Sequence, residues 1–196
     1  MAYSDRELLA RLIECEAGGE GENGMKAVAS VVMNRVTASG GEYARVGQGS
    51  IRKIIMQPGQ FVCASETERG AYNPQNIYNM RPTDVHYSIA DWAMAGNRLT
   101  GLGDALWFFN PFSDTCRPNF PSQVGVFRVR IADHCFNDPT EANYDTYETK
   151  SKALKGMDAM IELTRCGAPD NDRYLPAVMT QGDASTYQTM IDNSTM

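Results

Sequence analysis

The segment MKAVASVVMNRV, residues 25–36, constrains the fold more than any other. Its apolar residues surround a helical axis almost completely, so such a helix needs partners on every side and belongs at the centre of a domain. Ahead of it, Leu8, Leu9, Leu12 and Ile13 fall at the spacing of one helical face. Ser4 and Asp5 can cap that first helix near Arg6, Glu7 completes a capping-box pattern, and Gly18 and Gly19 stop it. Residues 37–49 are Gly/Ser-rich and read as loop, after which Ser50 caps a short helix in IRKIIMQ. Residues 65–82 read mostly as loop. Thr83 or Asp84 caps a helix in VHYSIADWAMAGN, with Ile89, Ala90, Trp92 and Ala93 inward. ALWFFN (105–110) and VFRVRIA (126–132) alternate as strands, and a hairpin with a long loop would pair them. The expected class is α+β, mainly helical with a small β element.

The chain has 196 residues, enough for one domain with an appendage. The character shifts near residue 138. We therefore expect a core over 1–138 and an extension over 139–196, with an amphipathic helix at about 148–165 and a weakly ordered tail. The formal charge of −6 argues against nucleic acid as a partner, which needs a basic face. Cysteines at 15, 63, 116, 135 and 166 form no C-x-x-C, and the histidines are His86 and His134. No metal-ligand spacing results, so no metal and no cofactor is expected. The cysteines are expected to be mostly buried free thiols. Neither a signal-peptide pattern nor an apolar stretch of about 20 residues is found, so cytoplasmic synthesis and no membrane contact are expected.

Between the first two helices stands ECEAGGEGENG, with Glu14, Glu16, Glu20 and Glu22 interleaved with glycines. On a helical wheel Leu8, Leu12 and Glu16 lie at i, i+4 and i+8, so Glu16 continues the buried stripe whereas Glu14 points elsewhere. Apolar neighbours and the negative end of the helix dipole both disfavour the Glu16 anion. A glutamate kept protonated near neutral pH is what acid attack on a glycosidic oxygen requires. Glu20 and Glu22, flanked by glycines, read as solvated carboxylates.

These residues resemble the opening of the SleB/CwlJ family of bacterial cell-wall hydrolases. Glu16, Ala17, Gly19 and Glu20 fit the family's E-A-x-G-E motif, Asn34-Arg35-Val36 its N-R-V, and residues 57–61 its Q-P-G-Q-F. ALWFFNP (105–111) and His134-Cys135-Phe136 are similar to the CwlJ branch. The resemblance covers about residues 6–137. It implies a lysozyme-like fold of the lytic-transglycosylase kind, cleavage of peptidoglycan glycan strands in the spore cortex, and Glu16 as the essential acid. It also implies synthesis in the mother cell and deposition in the coat near the cortex, with a coat protein as a partner. One departure stands out: many relatives carry Arg where this chain has Gly18.

The mechanism expected from the resemblance has Glu16 protonate the oxygen between muramic acid and N-acetylglucosamine. Water then completes hydrolysis, or the sugar's own C6 hydroxyl closes an anhydro product. No second acid stands in a compelling context, since Asp133 and Asp138 read as turn residues. Glu20, Gln60, Phe61, Trp107, Phe109 and Asn110 are the expected substrate-binding residues, because aromatic faces stack on sugars and amides reach hydroxyls. Alternation places Trp107 and Phe109 on the strand face opposite Leu106, Phe108 and Asn110, so some of these belong to the core. Asn34 and Arg35 are expected to be structural, holding the turn that carries Glu16. Two rival readings stay open: a peptidase with Cys63 as nucleophile and His134 as base, and a non-catalytic coat or adaptor protein on the same fold.

Overall fold

The structure, a computed structural model, describes residues 3–121 and 124–140. The expected helix at 148–165 and the tail lie outside the described residues. Helix α1 spans Asp5–Ala17, with the Ser4 hydroxyl accepting the Glu7 N–H as its cap. Helix α2 spans Gly21–Thr37, four residues more at its start than the apolar pattern marks, because Gly21 at φ 70° turns the chain directly into it. Val28, Ala29, Val31 and Val32 are fully buried, as an all-round apolar helix requires. Helix α4, Ile51–Ile55, starts where Ser50 accepts the Lys53 N–H. Helix α5, Asp84–Met94, is capped by Thr83, with His86 accepting the Thr83 N–H in return. Ile89, Ala90 and Ala93 face inward, while Trp92 is only partly buried.

Two expectations fail. The Gly/Ser-rich stretch is not all loop: Gly41–Gly47 forms helix α3, anchored by the fully buried Tyr43. The two predicted strands do not pair with each other. Strands β1 (Thr67–Glu68) and β2 (Ala71–Tyr72) make a minimal hairpin, while β3 (Trp107–Phe109), β4 (Gly125–Ile131) and β5 (His134–Pro139) form an antiparallel sheet in the order β3-β5-β4. Strand β5 lies between β3 and β4, and because its residues 134–137 are all buried the sequence shows no alternation there.

The free-thiol expectation is also corrected. Cys116 and Cys135 form a disulfide that staples the segment after β3 to β5, Cys15 is disulfide-bonded as well, and Cys63 is the free cysteine among the described residues. Spacing carried no sign of the pairing, because residues 116 and 135 meet only through the sheet. Helix α1 packs against α2, α4 and α5. Among the described residues no helix is long and apolar enough to cross a membrane. A helical majority with two small sheets among the described residues is the α+β class expected.

Candidate active site

A cleft of about 280 Å³ opens where α1 ends. The last turn of α1 and the following turn line it with Glu14, Glu16 and Glu20, and Gln75 and Met80 form the opposite wall. Glu16 continues the buried stripe as the wheel placed it and is 2% exposed. Glu14 does not point elsewhere: it lines the same cleft, so the wheel separated two residues that the end of the helix brings together.

Cys63 lies in the 3₁₀ turn Val62–Ala64, and its thiol donates to Glu16 Oε1 at 2.9 Å. Burial first, then the neighbouring Glu16 carboxylate, pushes the thiol well above its ordinary range. A nucleophilic cysteine needs the opposite shift and a basic partner. Here the partner is a carboxylate, and His134 pairs elsewhere, with Nδ1 3.5 Å from Glu20 Oε2. The geometry therefore contradicts the Cys63/His134 peptidase reading.

Glu20 is not a solvated carboxylate. Its side chain is 13% exposed, and Oε2 accepts the Asp133 N–H at 2.7 Å beside His134. Burial alone would raise its pKa. The contacts with His134 and the Asp133 N–H, together with the charges of His134 and Arg130, outweigh that and hold it below the ordinary carboxylate value. Glu20 thus ties the β4–β5 turn to the rim of the cleft as an anion. Glu22 fits the solvated description, exposed and paired with Lys26 at 2.6 Å.

The far wall depends on Arg11, Asn73 and Asn76, which no motif in the sequence marks. Arg11, 8% exposed on the buried side of α1, donates to the carbonyls of Ile77 at 3.0 Å and Met80 at 2.7 Å. Asn76, 1% exposed, donates to Asn73 O and accepts the N–H groups of Tyr78 and Asn79. Asn73 in turn donates to Val62 O and Ser65 O and accepts the Gln75 N–H. Side-chain amides replace a missing backbone ladder, so an irregular segment keeps one shape. The signals were present in the sequence: an arginine beside Leu12 on an apolar stripe, and asparagines spaced through NPQNIYN.

The structure does not bring the expected sugar-stacking residues into this cleft. Phe61, Trp107 and Phe109 are 2%, 0% and 4% exposed. Phe61 packs near Phe108, and Phe109 lies against Phe120 with ring centroids 4.4 Å apart. Gln60 is buried and accepts the Tyr43 hydroxyl at 3.0 Å, with Arg35 also in reach. Asn110 accepts the Phe112 N–H at 2.8 Å and so shapes the loop after β3. Both faces of β3 are covered, which leaves these rings to packing. Asn34 and Arg35 are structural, but they hold the approach to β3 rather than the Glu16 turn. Asn34 donates to the carbonyls of Gly103 and Ala105, and Arg35 Nε to Leu106 O at 2.7 Å. Asp133 is a turn residue, whereas Asp138 lies in β5, 3.2 Å from Arg128, with its pKa raised chiefly by burial. Among the described residues no group of three or more His, Cys, Asp or Glu is placed to hold a metal ion.

Residues 19–137 match the family model described as Cell Wall Hydrolase. The chain is 31% identical over 147 residues to "Cell wall hydrolase CwlJ" of Bacillus subtilis (strain 168), covering 74% of this chain and 94% of that protein. It is 32% identical over 138 residues to the protein of the same name from Oceanobacillus iheyensis, covering 70% and 88%. Among solved structures, the catalytic domain of the germination-specific lytic transglycosylase SleB from Bacillus anthracis is similar at 25% identity and a TM-score of 0.47, covering 70% of this chain and 98% of that one. With its family match running from the turn after α1 into β5, this chain belongs to the Cell Wall Hydrolase family.

Proposed function

We propose that this chain cleaves the glycan strand of peptidoglycan, with Glu16 as the single general acid, between muramic acid and N-acetylglucosamine of the spore cortex. The observation that carries the proposal is the position of Glu16: a carboxyl almost wholly buried, at the C-terminal end of α1, lining an open cleft. Such a group can give its proton to a glycosidic oxygen held against it, and low local polarity strengthens that transfer. As the bond breaks, positive charge develops at the muramic carbon. Glu20, kept ionised by its own contacts, lines the same cleft and supplies a fixed negative charge nearby. The departing sugar leaves with the proton, and Glu16, now a base, takes one from water or from the C6 hydroxyl of the muramic residue. The first acceptor gives hydrolysis and the second an anhydro sugar.

The lysozyme-like scaffold implied by the resemblance suits this chemistry, as do deposition of the protein beside the cortex and a coat protein as its partner there. The test is digestion of purified cortex peptidoglycan by wild type and Glu16→Gln, with mass spectrometry of the released muropeptides. Fragments from wild type alone support Glu16 as the acid, and the anhydro mass identifies the acceptor. Equal release by Glu16→Gln refutes the assignment. No release by either protein would favour the non-catalytic adaptor.

A further inference from the structure

The bond between Cys63 and Glu16 carries an inference that rests on the reading of Glu16 as the acid. The 3₁₀ turn holding Cys63 is fixed from two sides. The Ile77 N–H donates to Cys63 O at 2.8 Å, and Asn73 Nδ2 donates to Val62 O at 3.3 Å. The thiol, 1% exposed, therefore has little freedom to leave Glu16 Oε1. A neutral donor aimed at one carboxyl oxygen does two things: it orients the plane of the carboxyl, and it stabilises the anion more than the acid, because a charge-assisted hydrogen bond is the stronger one.

We propose that Cys63 is a positioning residue for Glu16: its thiol hydrogen orients the catalytic carboxyl and sets the pH above which that acid is lost. Burial and the Glu16 charge keep the thiol protonated, so the donor persists across the working pH range. Glu14 and Glu20 are the other carboxylates lining the cleft, with His134 and Arg130 beside Glu20. The wall segment adds Tyr78 and, through Met80 O, the Arg11 guanidinium. On the other elements around α1, Lys26 pairs with Glu22 on α2, Arg52 of α4 lies near Asp5, and Asp91 of α5 pairs with Arg6, while Arg35 of α2 donates to Leu106 O and Lys53 of α4 to Gln48. Replacing the thiol alters none of these groups directly, so opposite shifts in the Ala and Ser variants report the donor at position 63.

The sign follows from the role. A general acid works while protonated, so activity falls on the alkaline side as Glu16 ionises. Cys63→Ala removes a donor that favours the anion, and the alkaline fall moves to higher pH by about half a unit or more. Cys63→Ser supplies a stronger donor, and the fall moves below that of wild type. The experiment is the pH profile of cortex cleavage by wild type, Cys63→Ala, Cys63→Ser and Glu16→Gln, with circular dichroism as a fold control. Opposite displacements for the Ala and Ser variants are the expected result. Superimposable profiles for active Ala and Ser variants overturn the positioning role and leave Glu16 as the acid. An active Glu16→Gln overturns the underlying reading instead. If Cys63→Ala does not fold, the Ser profile decides alone, and an undisplaced alkaline fall refutes the proposal.

Discussion

Replacing Arg11 with Met tests whether the far wall of the cleft is held by one buried guanidinium. Met keeps most of the apolar stem and removes the donors. Arg11 makes two well-formed bonds to carbonyl oxygens, at 3.0 and 2.7 Å, while the contact with Tyr78 O at 3.4 Å is too long to weigh heavily. Bonds from a charged donor contribute roughly 1.5–3 kcal/mol each, and the desolvation of the cation offsets part of that. The pair with Glu7 at 2.8 Å is on the surface side, where such pairs add about 0.5 kcal/mol. The stacking of the guanidinium on Tyr3, 4.0 Å from the ring centre, adds a similar amount. The net expected loss is about 3 kcal/mol, or roughly 10 °C in melting temperature for a domain of this size. Urea denaturation followed by circular dichroism measures it, and cleavage assays run below the melting point measure the second consequence. With Met80 no longer held, KM for peptidoglycan should rise more than kcat falls. A loss below 1 kcal/mol with KM unchanged would refute the claim that Arg11 builds the wall.

Two further predictions concern the Glu20 clasp. A Cβ at Gly24 would lie 2.3 Å from Glu20 Cβ, so Gly24→Ala should destabilise by about 1–2 kcal/mol despite alanine's better helix propensity, and a melting temperature at or above wild type would contradict this. Glu20 has a lowered pKa in the folded protein, so its contribution is present above the unfolded carboxylate value and is lost as pH falls through the folded one. Melting temperature should therefore drop more steeply with acid in wild type than in Glu20→Gln, and parallel curves from about pH 7 to about pH 3 would rule the clasp out.

Legibility in the sequence followed the range of the interactions. Ser4, Ser50 and Thr83 were identifiable as caps because a cap is made by a side chain and a backbone group three residues away. The burial of Glu16 is legible because a helix carries its stripe through to its last turn. Helix α3 was missed because glycines at 40, 41 and 47 resemble a loop until Tyr43 finds its buried site. The burial of Glu20 is hidden in the sequence for a related reason. Its glycine neighbours suggest exposure, but its partner is the Asp133 N–H, 113 residues away in sequence.

The chain order by itself determined the α1–turn–α2 unit, the capped short helices and the place of Glu16 at the end of the buried stripe. Periodicity and capping are local and survive in any compact arrangement. Only tertiary structure decided that β5 enters between β3 and β4, that the aromatic rings of β3 serve the core, and that Cys63 faces Glu16. Each of these depends on which segments meet across long stretches of chain, and that pairing is chosen by packing and hydrogen-bond satisfaction over the whole domain rather than by any window of residues.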